Sequence, residues 1–328
     1  MVLDLSRSLR PALLPLLLLP LALAPAPSFA QAWPSKPIRI VIPFPPGGAI
    51  DWTARVVGGK MAEQMNAQFV VDNRPGAGGS IAAELVSKAP PDGYTLMQGT
   101  ASNAITTALN PKAPDFGREF APIGLLGSSI FILVVHPSVP VRSVKELLAF
   151  ARARPGQLEF ASAGIGTTNH LTMELLKSMT GMDIVHVPYK GGAPAMVDQI
   201  AGRVALGFSN TTVSAPHLKA GRLVALGVSG GRRSAAVPDI PTVSEAGVKG
   251  FDASTWYGLV APLATPAPII ERLNAELNRA LKAPDVREKY AADGIDLGGG
   301  TPQEFGTLIR TDIAKWSKVI KAAGIKPE

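Results

Sequence analysis

Short apolar runs rich in β-branched side chains alternate along the chain with stretches whose apolar positions recur every three or four residues. "IRIVIP" precedes a helical pattern over Ala49 to Met65, "FVVDN" one over Ser80 to Lys88, and "FILVVHP" one over Ser143 to Arg154, with "YTLMQGT" as a further strand. "LEFAS" then leads to Thr168 through Met179 and "IVHVPY" to Ala193 through Ile200, and "VALGFS" and "LVALGVS" follow. Such runs read as strands and the periodic stretches as amphipathic helices. Strands alternating with helices predict an α/β fold on parallel sheets. Two helix starts are marked chemically: "SVKE" from Ser143 and "TPQE" from Thr301 fit the capping box, in which a hydroxyl and a carboxylate satisfy opposite ends of the first turn.

From Pro262 onward the pattern turns helical, in "APIIERLNAELNRALK" and "TPQEFGTLIRTDIAKWSKVI", with "GIDLGG" as a candidate strand between them. A chain that ends in helices after two runs of strand and helix reads as returning to cover its first domain. No low-complexity linker separates the runs, so the segments crossing between domains are read as strands. One architectural echo stands out. In "VIPFPPGGAIDWTAR" and again in "EFASAGIGTTNHLTMEL" a strand ends in a glycine loop that opens a helix, with little shared sequence.

Arg7 and Arg10, the apolar run "PALLPLLLLPLALAPA" and small residues ending in "SFA" have the order of a secretory signal peptide, residues 1–30, with cleavage expected after Ala30. Its prolines interrupt the run short of the roughly 20 residues a spanning helix needs. Of 328 residues the 298 that remain suffice for two domains. The chain has no cysteine, which removes disulfides, thiolate nucleophiles and sulfur-ligated metals. Without Arg7, Arg10 and Asp4 the 32 basic and 25 acidic residues become 30 and 24, a balance of +6. No basic run exceeds the pair Arg232 and Arg233, so there is no concentrated stripe for nucleic acid, only a mild attraction for small anions.

The junctions are the candidate chemistry. A glycine turn that opens a helix after a strand leaves backbone N–H groups without intrahelical partners, backed by the positive end of the helix dipole, and this suits an anion. Gly47 and Gly48 read either as such a loop, stiffened by Pro45 and Pro46, or as an ordinary tight turn. Asp51, in the first helical turn, reads as a complement to the dipole; contact with an anionic ligand would require a bridging water or a ligand amino group. The second junction offers Ser162, Gly164, Gly166, Thr167, Thr168, Asn169 and His170, hydroxyls and N–H groups able to clamp a carboxylate without a formal positive charge, or simply to cap the helix.

Enzyme signatures do not hold. "GVSGG" at Gly227 to Gly231 matches G-x-S-x-G, but a nucleophile elbow needs a helix directly after the serine and "RRSAAVPDIP" follows. "GIGTTN" lacks the third glycine of the dinucleotide fingerprint, and no phosphate-loop motif exists. His170 and Glu174 share a helical face without a third ligand, so no metal is assigned.

Across nearly all of the chain after residue 30 the sequence resembles the Bug-type extracytoplasmic solute receptors of tripartite tricarboxylate transporters. "WPSKPIRIVIPFPPGGAID", "NRPGAGGSIAAELVSKAPPDGYTL", "LEFASAGIGTTNHL", "VPYKGGAPAMVDQIAGRV", "LKAGRLVALGVSGGRRSAAVPDIPTVSEAG" and "WYGLVAPLATPAPIIERLN" carry the resemblance. It implies a type II periplasmic-binding-protein fold, α/β, with two lobes joined by two crossing strands and a ligand cleft between them: 31–135 plus 255–328 as lobe 1, 136–254 as lobe 2. By the same resemblance Phe44, Pro45, Gly47, Gly48 and Asp51 form the first wall, often through ordered water. Ser162 to His170 grip a carboxylate from the second, and Ser102, Asn103 and Asn210 lie at the cleft, turn chemistry being the other reading of these three. Relatives often read Phe-Asp-Asn where this chain has Phe208, Ser209 and Asn210. The expected function is a periplasmic receptor, monomeric and without cofactor, that delivers a small organic carboxylate to integral-membrane transporter subunits. A ligand-sensing subunit for a membrane kinase and a secreted α/β hydrolase using Ser229 are the alternatives.

Overall fold

The computed structural model describes residues 33 to 325, so the expected signal peptide lies outside the described residues. In chain order the elements are β1 (Ile38–Ile42), α1 (Ala49–Met65), β2 (Phe69–Asn73), α2 (Ser80–Ser87), β3 (Thr95–Thr100), α3 (Ala101–Leu109), β4 (Phe120–Val135), α4 (Val144–Arg152), β5 (Glu159–Ser162), α5 (Thr168–Thr180), β6 (Val185–Pro188), α6 (Gly192–Ile200), β7 (Leu206–Asn210), α7 (Thr211–Lys219), β8 (Val224–Val228), β9 (Ser254–Pro262), α8 (Ala267–Lys282), α9 (Pro284–Ala292), β10 (Ile295–Gly299) and α10 (Pro302–Ala323).

The sheet runs β2-β1-β3-β9-β4-β7-β5-β6, with β8 and β10 also paired to β4. β4 belongs to both halves. Its stretch from Phe120 to Ile130 pairs with β9, and Phe131 to Val135 pair with β7 and β8. β1 is parallel to β2 and β3, and β5 to β6 and β7, as the alternation predicts. At the centre the parallel pairing expected from the alternation gives way to antiparallel pairing: β9 is antiparallel to β3 and β4, and β7, β8 and β10 are antiparallel to β4. The reason is topological. β4 leaves the first half and the chain returns through β9, and outgoing and returning strands lying side by side must run in opposite directions.

Each half buries its own core. Phe160, Leu176, Phe208 and Phe251 lie in the second, and Phe116, Trp256 and Phe305 in the first. The C-terminal helices pack back on the first half. The Trp256 indole donates to Asp312 of α10 at 2.9 Å, and Trp316 and Ile320 of the same helix cluster with Ile105 of α3 and Leu171 of α5.

Helix caps follow the sequence reading in part. The Thr301–Glu304 box is complete. At Ser143 the hydroxyl accepts the Glu146 N–H, but the Glu146 carboxylate takes the N–H of Arg142 instead of that of Ser143, so the predicted box is half formed. A complete box absent from the sequence reading joins Thr100 and Asn103 at the start of α3.

Ser229 of "GVSGG" is fully buried. Its hydroxyl accepts the Phe131 N–H at 2.9 Å and donates to the Ala253 carbonyl at 2.6 Å, and its own N–H donates to the Phe131 carbonyl. With both roles of the hydroxyl used on backbone, the serine is a brace. It ties β4, at the residue where that strand changes halves, to the segment that returns as β9.

Candidate functional site

Five helix N-termini open onto one cavity between the two halves of the sheet. The first half contributes Phe44, Pro45, Gly48, Ala49 and Ile50 from the β1–α1 junction, Thr100 and Ser102 from β3–α3, and Thr255 and Tyr257 from β9. The second contributes Phe131, then Ala161, Ala163, Thr167, Thr168 and Asn169 around the start of α5, Gly192, Ala193, Ala195 and Gln199 from α6, and Phe208, Ser209, Asn210 and Val213 around the start of α7. No Lys, Arg, Asp, Glu or His is among these lining residues.

The donors divide unevenly. In α1 the first intrahelical bond runs from the Trp52 N–H to the Gly48 carbonyl, so the N–H groups of Gly48, Ala49 and Ile50 have no acceptor within the helix. Gly48 has an extended backbone and no side-chain cap, which leaves those groups open to the cavity. In α6 the N–H of Ala195 reaches back to Gly191, and Gly192 and Ala193 keep theirs. The junction at α5 is different. The Thr168 N–H donates to Ser102 Oγ at 3.0 Å, Gly166 N–H to His170 Nδ1, Gly164 N–H to Ser162 Oγ, and the N–H groups of Ala163 and His170 to Asn169 Oδ1. The run of free N–H groups expected there is largely consumed by its own loop, because short polar side chains in a tight turn compete for the nearest donors.

Of the residues singled out from sequence, Phe44, Pro45, Gly48, Ser102, Thr167, Thr168, Asn169 and Asn210 line the cavity. Gly47, Asp51, Asn103, Ser162, Gly164, Gly166 and His170 stand behind or beside it. Asp51 is buried and accepts from Arg55, the Gly47 N–H and Asn73, whose amide also donates to the Phe44 carbonyl, so the carboxylate braces the glycine loop from behind. Burial raises its pKa, but these donors outweigh burial and hold it below the usual carboxylate range. Asn103 caps α3. Gly164 and Gly166 line a neighbouring cavity that shares Phe44 and Ala163 with the first.

His170 stacks on His186 with ring centroids 4.0 Å apart, and Phe160 lies behind both. Burial, then the His186 and Lys177 charges, push the His170 pKa down to about 3; burial and Lys177 push His186 down to about 4. Both rings are neutral at pH 7. His170 and Glu174 stand 3.9 Å apart, and no group of three or more potential metal ligands occurs among the described residues.

The two walls touch. Ser102 Oγ lies 3.0 Å from Thr168 N and 3.2 Å from Thr168 Oγ1, and the Asn210 amide donates to the Tyr257 hydroxyl at 3.0 Å. Burial holds the Tyr257 phenol well above its ordinary pKa, so it stays neutral. At Gly191 a Cβ would sit 2.7 Å from Pro45 Cδ, so the absence of a side chain lets the rim close. The arrangement is an uncharged, mixed polar and apolar chamber whose walls carry the positive ends of helix dipoles, a chemistry suited to holding an anion.

The sequence reading missed the α6 start, although "YKGGAP" repeats the order of strand, glycines and helix already recognised twice. It had no signal for Thr255 and Tyr257, which sit on an apolar strand, or for Gln199 within a helix.

Residues 53–325 match the model of the tripartite tricarboxylate transporter family receptor. The chain is similar to Protein BugT of Bordetella pertussis, with 36% identity over 304 residues, 92% of this chain and 93% of BugT. It is similar to two solved structures: R. palustris Rpa4515 with adipate (38% identity, TM-score 0.87, 90% of this chain and 100% of that one), and MatC (Rpa3494) from Rhodopseudomonas palustris with bound malate (31% identity, TM-score 0.84, 88% and 99%).

Proposed function

The chain belongs to the tripartite tricarboxylate transporter receptor family, and we propose on that premise that it captures a small carboxylate in the cavity and delivers it, in the periplasm, to integral-membrane transporter subunits. The observation that carries this reading is the convergence of five helix N-termini on a chamber with no charged side chain in its lining. The adipate and malate of the two structural neighbours support the ligand class.

In this reading the two lobes meet at Ile130 and Phe131 of β4 and again near Ala253, with Ser229 holding the crossings together. The lobe boundary expected at residue 135 then moves back to residue 130, because residues 131 to 135 pair with the second half. Gly48 to Ile50 and Gly192 to Ala193 present the open donors, Ser102 and Thr168 supply hydroxyls, and Asp51 only positions the first loop. Closure follows from two-sided contact. Neither wall alone offers enough donors, so the ligand favours the state in which both reach it.

A thermal-shift screen of mono-, di- and tricarboxylates, aromatic acids and amino acids tests the reading. A ligand at about 100 times its Kd adds about 2.7 kcal/mol to the folded state, and this raises Tm by several degrees in a protein of this size. A screen in which amino acids or uncharged solutes shift Tm and no simple carboxylate does so removes the assignment.

A further inference from the structure

The proposed function uses the helix N-termini and leaves a second group of polar atoms unaccounted for. Gln199, on α6, is 3% exposed and lines the cavity, and no hydrogen bond engages its amide among the described residues. The space for it is built into the neighbouring strand. A Cβ on Gly207 of β7 would collide with Gln199 Nε2 and lie 2.8 Å from the Ala161 carbonyl. Ser209 follows two residues later and therefore projects from the same face of β7 as the Gly207 position. It too lines the cavity, is 9% exposed, and has a hydroxyl that no partner engages among the described residues.

An amide and a hydroxyl that no protein group engages, on side chains otherwise buried and reached only through the cavity, are free to bond whatever occupies it. Both are neutral, both can donate and accept, and they occupy one face of one strand. We propose that Gln199 and Ser209 form a second subsite that binds an uncharged oxygen function, a hydroxyl or a carbonyl, on the body of the bound carboxylate. A second ionised carboxylate suits this subsite poorly, since it offers one amide and one hydroxyl in place of the row of open backbone N–H groups that receives the first. The solute class is then a hydroxy or oxo acid. This inference rests on the carboxylate reading above.

Three acids with the same six-carbon chain separate the cases by calorimetry: hexanoate with an apolar end, 6-hydroxyhexanoate with a neutral polar end, and adipate with a second charge. The expected order places 6-hydroxyhexanoate about tenfold or more ahead of both others, the worth of one neutral hydrogen bond in a dry site. In Gln199→Met, and separately in Ser209→Ala, the ratio of 6-hydroxyhexanoate to hexanoate affinity should fall toward one, with melting curves confirming that each variant is folded. Adipate binding tightest, or a ratio that survives in both variants, overturns the subsite while leaving the carboxylate reading intact. Failure of all three acids to bind the folded wild type, with no other carboxylate binding either, removes both together.

Discussion

Gly48→Asp should weaken carboxylate binding by about a hundredfold or more while leaving the melting temperature unchanged or slightly raised. Gly48 is the N-cap of α1, with φ −87° and ψ 169°, a backbone that any residue adopts, and a Cβ there meets nothing within 4 Å. Aspartate is among the best N-cap residues and accepts from the N–H groups two and three positions on, so the substitution favours the helix by a few tenths of a kcal/mol. The same hydrogen bonds remove the open donors of Ile50 and its neighbours and set a negative charge at the mouth of a cavity lined by no cation. Two like charges about 4 Å apart at an effective dielectric of about 20 repel by about 4 kcal/mol, so even a partial effect costs two orders of magnitude in Kd. Gly48→Ser takes up a donor without the charge and should lose only about tenfold. An unchanged Kd in a folded Gly48→Asp protein would mean that α1 is not the anion wall.

Stability should fall steeply as pH drops from about 6.5 toward 4, well before the carboxylates titrate. In the folded protein His170 and His186 are held at about 3 and about 4, whereas both return to about 6.5 on unfolding. The folded pKa values are depressed, so between these limits the unfolded chain binds more protons, and stability rises with pH through that window. It is fully present above the unfolded value and is lost on acidification. His170, 5% exposed, contributes a slope approaching about 1.4 kcal/mol per pH unit, and the less buried His186 a smaller one. The groups around them are Lys177, which opposes protonation, and Glu174, 3.9 Å from His170 Nε2 and already bridged to Lys177 at 2.7 Å. Asp51 and Asp72 also lie below their ordinary values despite burial, which alone would raise them; Arg55 is the chief donor to the first and Arg39 to the second. Their loss falls below about pH 4 and is separable. Thermal melts from pH 7.5 to 4.5 should drop by several degrees in the wild type, and a His170→Phe, His186→Phe double variant should show a much flatter profile. A wild-type profile flat to pH 4.5 would contradict the burial of the pair.

What the sequence revealed and concealed follows from how far each element depends on its neighbours. The β1–α1 and β5–α5 junctions announce themselves because a strand, a glycine loop and an amphipathic helix are each local patterns. The first part of β4 does not, since Pro122, Gly124 and Gly127 break its alternation where the register with β9 shifts. α3 follows β3 without an intervening loop and is almost wholly buried, and α7 contains Pro216. The cavity lining is the least local property of all. It draws on segments from Phe44 to Tyr257 that only the antiparallel crossing of β4 and β9 brings together. Ser229 shows the converse, a sequence motif with a catalytic look whose hydroxyl is spent on backbone at the crossing.

The central claim, that backbone amides at helix starts hold the anion, is tested most directly by a crystal structure of the protein with the carboxylate that gives the largest thermal shift. The account predicts carboxylate oxygens about 3 Å from the N–H groups of Gly48 to Ile50 on one wall and of Gly192 or Ala193 on the other, with no lysine or arginine in contact. A carboxylate bound outside this cavity, or ion-paired to a cationic side chain, would contradict it.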